Sequence, residues 1–293
     1  MLANFSDAIV LGSIYTLFAL GLTLSWGVLG VLNLAHGAIF ALGAVTAYRI
    51  SNISDLGIQF VLPLAMIVGG AVAVAAEILV FRVIRGRSRD AELATMIASI
   101  GVTGIVTGVC IKLTAGDTQT IARATFSVHP LGWGDLGLTN IDVVIVAVSV
   151  VLSFGTALFV GRTQTGRALR AIAADRYTCG LMGIAANRLA VLTMFVAGAF
   201  AGAAGVLLAL RTNSVSAYMG DALMLKAFAI LVIGSVGSAW GAIAGAYLLA
   251  LVEVVTIAYV ASDLADAATF ILILAVLVVR PQGLLGRSAW QRA

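Results

Sequence analysis

The sequence has few charged residues and few residues of the types that usually carry catalysis. Charged side chains make up 10% of the 293 residues, whereas soluble domains carry about 25%. Hydrophobic residues make up 61%, so the chain is predicted to be an integral membrane protein. Its two Cys are too few for a disulfide framework. Its two His are far apart in the sequence and do not indicate a metal centre.

Motifs of nucleotide-binding and hydrolytic enzymes are missing from the sequence as well. The only lysines are Lys112 and Lys226, and neither belongs to a Gly-rich phosphate-binding loop. The sequence also contains no His-Glu-x-x-His or Gly-x-Ser-x-Gly motif. We therefore expect that the chain is not an enzyme, that it does not bind ATP through such a loop, and that it holds no cofactor or metal.

The basic residues fall into three clusters. Residues 82–89, 162–188 and 280–292 together hold twelve of the seventeen Lys and Arg. Short loops rich in Lys and Arg face the cytoplasm, so the net charge of +4 indicates membrane topology rather than a nucleic-acid partner. The other loops lean acidic, with Asp55, Asp117, Asp135, Asp221, Asp263 and Asp266. The pattern predicts a cytoplasmic C-terminus and leaves the side of the N-terminus open.

Long uncharged runs predict an all-α, polytopic transmembrane helical bundle in a single domain over residues 1–293. It would have about eight membrane segments, including broken or half helices. The segments are 6–28, 33–50, 57–81, 92–112, 141–161, 189–210, a longer region 226–260 that is broken around 234–241, and 264–280. The run 197–205 consists of Gly, Ala and one Phe, a composition that suits close helix–helix approach in lipid.

The stretch 27–39 interrupts a run without Asp, Glu, Lys or Arg that extends from residue 8 to residue 48. Irregular backbone at membrane depth must be covered by protein or line a water-filled cavity, so this stretch is predicted to be more than a lipid-facing anchor. A shift of 204 residues gives a weak internal echo. It aligns Gly30, Ala35, Gly37, Ala38 and Ile39 with Gly234, Ala239, Gly241, Ala242 and Ile243. With 32 glycines in the chain, chance matching is the alternative.

Paired interrupted segments in the two halves of a transporter point to its translocation site. The candidate pathway residues are Asn33, His36, Gly37, Gly234, Gly237, Ser238 and Gly241. His36 is interpreted as a hydrogen-bonding residue where the helix is broken, with a proton relay as the alternative. Asn33 and His36 would support the backbone groups that the break frees.

Two carboxylates, Glu77 and Glu253, lie inside predicted membrane segments. An ionisable residue within a span is expensive and is by default a functional candidate. For Glu77 the structural alternative is a pairing with Arg82, about one helical turn away. Glu253 has no basic residue near it in the sequence, so both interpretations stay open for it.

The basic segment 162–188 differs from a simple connecting loop. Leu169, Ile172, Ala173 and Arg176 follow helical spacing and predict a short amphipathic helix with an Arg-rich face. A loop that lies on the lipid headgroups is one interpretation. Because the segment is long for a turn, a docking element for a cytoplasmic partner is the interpretation we favour.

At this point the chain resembles a known family, the permease subunits of branched-chain amino-acid ATP-binding-cassette importers, and in particular the LivH-like type. The matching stretches cover nearly the whole chain in order: 21–24 through 33–37, 166–171, 234–238 with Gly241, and 280–286. Two departures concern the local backbone. Ser235 stands where the family commonly has Gly, and Trp240 where a small turn residue or Pro is expected.

The resemblance implies a permease domain that works with separate subunits in a bacterial or archaeal inner membrane. Its partners would be a second permease subunit (a LivM-like heterodimer partner), two cytoplasmic ATPase subunits that hydrolyse the ATP, and an extracytoplasmic solute-binding protein. The coupling residues toward the ATPase would be Gly166, Arg167, Arg170, Ala171, Asp175 and Gly183. The outward loops 113–139 and 211–225 would meet the binding protein.

The resulting function is that of a permease subunit importing branched-chain or related amino acids by alternating access. The resemblance also extends to carriers of other amino acids, amides and urea-like solutes, so the exact substrate stays open. The alternative is a self-contained secondary transporter or channel that couples protons through Glu77, Glu253 or His36. The absence of a dense charged relay and the Arg-rich loop argue against that alternative.

Overall fold

The computed structural model describes residues 2–54, 56–88, 90–121, 128–131 and 137–285. Its regular structure in these ranges is helical, and the extended pairings found there are two isolated bridges, Gln119–Val215 and Pro130–Thr139. The predicted all-α fold is therefore confirmed. The predicted loop residues Asp55, Asp135 and Arg89, and Gly286 at the end of the family motif, lie outside the described residues.

Twelve α-helices follow one another along the described chain. They are α1 (Leu2–Leu29), α2 (Ala35–Ile53), α3 (Ile58–Ala76), α4 (Arg82–Arg85), α5 (Ala91–Thr114), α6 (Asn140–Arg162), α7 (Gln164–Ala174), α8 (Arg176–Leu181), α9 (Ala186–Thr212), α10 (Met219–Gly234), α11 (Ala239–Tyr259) and α12 (Ala265–Val279). A π-helical turn, Glu77–Phe81, joins α3 to α4, and a 3₁₀ turn, Ser262–Leu264, precedes α12.

Seven of these helical stretches are long and apolar enough to cross a membrane. They are Asn4–Gly27, Ile58–Arg85, Ala91–Thr114, Asn140–Arg162, Ala186–Thr212, Ala239–Tyr259 and Ser262–Val279. With 16 residues, α10 is about 24 Å long, shorter than a hydrocarbon core of roughly 30 Å. A half-length helix followed by a full one was expected in this region. Large apolar side chains such as Ile105, Val151 and Leu274 are well exposed, which suits a lipid-facing surface.

The chain forms two compact units. The first unit contains residues 1–23, 128–157 and 225–293, and the second contains residues 24–127 and 158–224. The chain passes from one unit to the other within α1, α6 and α10. Each unit thus collects segments that are distant in the sequence.

The second unit is built around α9, which packs closely against α2 and α3. A Cβ at Gly198 would overlap the carbonyl of Gly69, and one at Gly205 would overlap the carbonyl of Phe40. Between them, Gly202 lies against Ala65. Lipid tails are as apolar as side chains, so helices in a membrane associate through van der Waals packing rather than the hydrophobic effect. The small-residue run therefore brings the backbones together, as its composition indicated.

Polar contacts join the helices of the first unit. Ser149 of α6 donates to the carbonyl of Ser13 in α1 at 2.8 Å, and the Ser13 hydroxyl lies 2.9 Å from the Tyr247 hydroxyl of α11. At the N-terminal end of α6, Asp142 accepts from the backbone N–H of Thr139 at 2.9 Å. Hydrogen bonds across helices hold the unit where apolar burial supplies little driving force.

A matched pair of glycine variants tests this packing. Gly198→Val should destabilise the chain by about 1–3 kcal/mol, because overpacking a tight contact forces backbone shifts. Gly104→Val is the control, since a Cβ at Gly104 of α5 meets no heavy atom within 4 Å. The measurement is the melting temperature of the detergent-solubilised chain. Equal shifts in the two variants would contradict the packing role of α9.

Candidate functional site

The first interruption, between α1 and α2, keeps its backbone groups satisfied. The helix closes with Gly30, whose φ is +74° and whose N–H donates to the carbonyl of Trp26 at 2.8 Å. Asn33 Oδ1 accepts from the N–H of Ala35 at 3.2 Å, and the Asn33 carbonyl accepts from the N–H of His36 at 3.2 Å. The N–H of Leu34 donates to Ser99 Oγ of α5 at 3.1 Å. The break is therefore an ordered turn, stabilised by hydrogen bonds to its backbone N–H groups.

The polar residues at this turn are inside the protein. Asn33 and His36 are each 1% exposed, and Gly37 is buried in the first turn of α2. A Cβ at Gly37 would lie 2.8 Å from the carbonyl oxygen of Gly220, near the start of α10. Gly37 is thus a close-contact position between two helices.

The second interruption lies between α10 and α11, in the first unit. Ser235 has a φ of +85° and Gly237 a φ of +83°. Ser238 Oγ caps α11 by accepting from the N–H of Gly241 at 3.1 Å. The backbones at Gly234 and Gly241 approach so closely that a Cβ on either would overlap the other's carbonyl. Ser235, which stands where the family commonly has Gly, takes a backbone conformation that favours Gly.

The C-terminal segment closes this second interruption. The N–H of Leu284 donates to the carbonyl of Ile233 in the last turn of α10 at 2.7 Å. The segment is itself a turn, because the N–H of Gly283 donates to the carbonyl of Arg280 at 2.9 Å and Arg280 Nη1 donates to the carbonyl of Leu284 at 3.2 Å. Sequence reasoning identified 280–286 as a family motif but missed that it caps α10. The break before it, which leaves helix carbonyls without partners, was the available signal.

The two interruptions correspond in position but not in backbone conformation. The helices that follow them begin at Ala35 and Ala239, which are 204 residues apart, as the weak internal echo predicted. The positive φ angles, however, fall at Gly30 in the first break and at Ser235 and Gly237 in the second. The interruptions lie in different compact units.

Glu253 has a basic partner that sequence reasoning did not identify. Lys226 Nζ of α10 lies 2.5 Å from Glu253 Oε1 of α11, and Tyr15 of α1 donates to Glu253 Oε2 at 2.8 Å. Lys226 also donates to the Tyr15 hydroxyl at 3.1 Å, and Asp266 lies 3.9 Å from its Nζ. The four groups join α1, α10, α11 and α12 within the first unit. A signal existed, since Lys226 stands directly before the uncharged run 227–252.

The expected pairing of Glu77 with Arg82 is wrong, because Glu77 pairs with Arg85. Arg82 instead donates to the backbone carbonyl of Asn187 at 3.2 Å. Two α-helical turns span about seven residues, and the π-helical turn that begins at Glu77 adds one. Arg85 is eight residues after Glu77, so its side chain lies on the same face of the helix as the Glu77 side chain.

The predicted amphipathic helix in the basic segment is present as α7. Thr163 caps it by accepting from the N–H of Gly166 at 3.0 Å. Its buried face consists of Gly166, Leu169 and Ile172, and its exposed face carries Arg167 and Arg170. Leu169 packs against Ala190 and Leu189 at the start of α9.

The anchoring of α7 to the end of α6 is close. A Cβ at Gly166 would overlap the carbonyls of Phe159 and Val160, and Arg170 donates to the Val160 carbonyl. The half-buried Ala171 lies within α7. In the second unit α7 is therefore anchored both to the end of α6 and to the start of α9.

The helix ends earlier than the spacing suggested, and Arg176 belongs to α8. Asp175 separates the two helices, and its carboxylate accepts from the N–H of Thr178 at 3.0 Å. Gly183, with a φ of +79°, follows the end of α8. Of the predicted coupling residues, four thus lie in α7, Asp175 lies between the two helices, and Gly183 follows α8.

The described helices and their buried charges define a multi-pass α-helical membrane protein with a peripheral amphipathic segment. In the described ranges no group of three or more His, Cys, Asp or Glu could hold a metal ion. A model of the family described as "Branched-chain amino acid transport system / permease component" matches residues 4–278. The chain belongs to this family, and it is a transport permease component.

Curated relatives agree with this assignment over most of their length. The chain is 30% identical to the high-affinity branched-chain amino acid transport system permease protein LivH of Escherichia coli K12, over 96% of this chain and 94% of the relative. Identity and coverage are the same for the permease protein BraD of Pseudomonas aeruginosa. LivM of Escherichia coli K12 is 30% identical over 83% of this chain and 61% of its own length. No solved structure matches the chain.

A double-mutant cycle tests the ion pair of the first unit. Lys226→Met and Glu253→Gln should each destabilise the chain by roughly 3–5 kcal/mol, because each leaves a buried charge or its partner unpaired. The double variant should lose less than the sum of the two. Asp266→Asn is the control, since its side chain is 80% exposed and should cost at most about 1 kcal/mol. Additive losses in thermal unfolding would show that the pair is not coupled.

Proposed function

We propose that the chain is the permease subunit of an ATP-driven importer for branched-chain or related amino acids, and that separate ATPase subunits drive its alternating access. The observation that carries this proposal is α7, an exposed Arg-bearing helix fixed to α6 and α9. The chain has no phosphate-binding loop in its sequence, so under this proposal the energy of ATP hydrolysis on another subunit must reach it through a contact surface. The helix α7 offers such a surface. The names of the relatives supply the class of solute.

The proposed coupling step is a rigid-body movement of the segment 164–183. Gly166 and Arg170 bind the backbone at the end of α6, while Leu169 packs on α9. Closure of the ATPases against this segment would therefore shift both membrane helices together and bias the inward-open against the outward-open state. Arg167, Ala171, Asp175 and Gly183 complete the proposed docking surface.

The proposed pathway involves the two interruptions, with Asn33, His36 and Gly37 at one and Gly234, Gly237, Ser238 and Gly241 at the other. Broken helices at corresponding positions are typical of translocation sites. In both turns the polar groups serve the backbone. This supports a conduit lined by backbone and small side chains rather than a strong binding pocket.

The proposed partners are a LivM-like second permease subunit, two cytoplasmic ATPase subunits and an extracytoplasmic solute-binding protein. The chain would lie in the inner membrane of a bacterium or archaeon with its C-terminus in the cytoplasm. The loops proposed to meet the binding protein pair with each other: Gln119 and Val215 exchange two backbone hydrogen bonds of 2.8 Å, and Asn213 Oδ1 accepts from the N–H of Ile121 at 3.2 Å. Residues 119–121 and 213–215 therefore lie side by side in the second unit.

Uptake into vesicles tests the proposal. The permease is reconstituted with its ATPases and binding protein, and accumulation of radiolabelled leucine is followed with ATP present. The proposal expects uptake that requires the binding protein and is blocked by vanadate. Uptake that instead follows a proton gradient, without ATP or binding protein, would favour the alternative of a secondary transporter that couples protons through Glu77, Glu253 or His36.

Gly166→Pro and Arg170→Glu should uncouple ATP hydrolysis from uptake while the chain still inserts into the membrane. The proline removes the N–H that Thr163 caps, and the glutamate cannot donate to the Val160 carbonyl. Uptake should fall at least tenfold while vanadate-sensitive ATP hydrolysis persists. Lys112→Glu, an exposed charge reversal at the end of α5, is the control. Normal uptake by both α7 variants would remove the coupling assignment.

Asn33→Ala and His36→Ala should impair uptake more than folding. Asn33→Ala removes the acceptor for the N–H of Ala35, which loosens the turn at a cost of about 1 kcal/mol or more. The measurements are leucine uptake and melting temperature of the same preparations. Unchanged uptake by both variants would leave the stretch 27–39 with a packing role alone.

A further inference from the structure

Three guanidinium groups gather near one end of the second unit. Arg82 Nη2 donates to the backbone carbonyl of Asn187 at 3.2 Å, and Arg176 Nη2 donates to Asn187 Oδ1 at 3.1 Å. Arg85 pairs with Glu77, whose side chain is fully buried. We call Arg82, Arg85 and Arg176 the Arg cluster. Arg176 lies within the proposed coupling segment 164–183, but none of the three is one of the named coupling or pathway residues.

The positive charge of the Arg cluster exceeds what Glu77 compensates. Burial, and then the charge of Arg85, lower the pKa of Arg176 from its ordinary value, while Glu77 raises it and Arg82 lowers it further. A guanidinium loses affinity for its proton only where desolvation and like charges outweigh nearby carboxylates. An additional anion would therefore be stabilised at this position.

The Arg cluster also contains hydrogen-bond donors that have no acceptor. Arg82 Nε and Arg85 Nη1 are buried and have no hydrogen-bond partner among the described residues, and the same holds for Glu77 Oε2. A second contact between Arg85 and Glu77 would satisfy one donor and the acceptor, but Arg82 Nε would still lack a partner. Buried N–H groups are almost always paired, so an acceptor from outside the chain fits here.

The Arg cluster lies at the ends of two predicted membrane spans. Arg82 and Arg85 form the end of the membrane span Ile58–Arg85, and Asn187 stands at the start of the span Ala186–Thr212. Exposed apolar side chains lie near the cluster in the sequence. They are Ile78 (42%), Leu79 (72%) and Val83 (40%) between Glu77 and Arg85, and Leu181 (72%) and Met182 (78%) at the end of α8. Positive charge above an exposed apolar surface matches an amphiphilic anion.

We propose that Arg82, Arg85 and Arg176 bind the phosphate group of an anionic phospholipid whose acyl chains lie along Ile78, Leu79 and Val83. Basic pockets at the membrane surface bind anionic headgroups in this way. An acidic side chain of a partner subunit would match the charge but would leave the neighbouring apolar surface uncovered, so the lipid is the better fit. The proposal does not depend on which solute is transported.

Native mass spectrometry of the full-length chain tests the proposal. The detergent-solubilised chain is mixed with dioleoylphosphatidylglycerol or dioleoylphosphatidylcholine, and retained lipid is counted. Phosphatidylglycerol should be retained severalfold better than phosphatidylcholine. Arg82→Gln with Arg176→Gln should abolish that preference, and Arg87→Gln, which removes an exposed charge nearby, should leave it intact. Equal retention by the double variant and the unaltered chain would overturn the proposal.

Further measurements distinguish lipid binding from misfolding, from binding of a free anion and from binding of a partner protein. Glu77→Gln removes the competing carboxylate with little change of shape, so it should raise phosphatidylglycerol retention rather than lower it, which a merely misfolded variant would not do. Loss of phosphatidylglycerol from the unaltered chain in 10 mM inorganic phosphate would assign the site to a free anion and overturn the lipid assignment. Weaker co-purification of an ATPase with the double variant, at unchanged lipid retention, would likewise overturn it.

Discussion

Every backbone N–H and C=O at membrane depth must find its partner within the protein, because lipid offers none. An unbroken helix pairs its backbone groups within itself. Other partners are needed only at the two breaks, between α1 and α2 and between α10 and α11. At the first, Asn33 and Ser99 supply the acceptors. At the second, Ser238 and the N–H of Leu284 complete the pairing. Asn33, Ser99 and Ser238 are thus explained first by the backbone groups with which they form hydrogen bonds.

The close packing of helices in the second unit also follows from the lipid environment. Without a hydrophobic force between helices, contact area must come from backbones that touch, and α9 achieves this with Gly198 and Gly205 against α3 and α2. The first unit relies on interhelical hydrogen bonds and on the pair of Lys226 with Glu253. The surface helices α5, α6 and α12 keep exposed apolar faces, which need no partner but lipid.

The sequence predicted the helices well because each uncharged run is a local property of the chain. Both breaks and the helix α7 were also predictable, since Gly clusters and the spacing of Leu169 and Ile172 are local signals. The partners of the charged residues were not predictable in this way. Lys226 meets Glu253 only through the fold, and Arg85 displaces Arg82 because a π-helical turn shifts the helical period. The proposed roles of site residues in transport involve the proposed partner subunits, whose contacts cannot be worked out from one chain.

The hydrogen bond from Leu284 to Ile233 has a consequence for biosynthesis. The first unit combines residues 1–23 with residues 225–293, and the break between α10 and α11 is closed by the N–H of Leu284. Before residue 284 is made, the end of α10 lacks this hydrogen bond, and before residues 226 and 253 are made, Tyr15 of α1 lacks its partners Lys226 and Glu253. The second unit contains no residue beyond 224, so all of it is synthesised before Lys226, Glu253 and Leu284. The first unit joins the N-terminal part of α1 to helices that are made much later, so its contacts are the last to become possible.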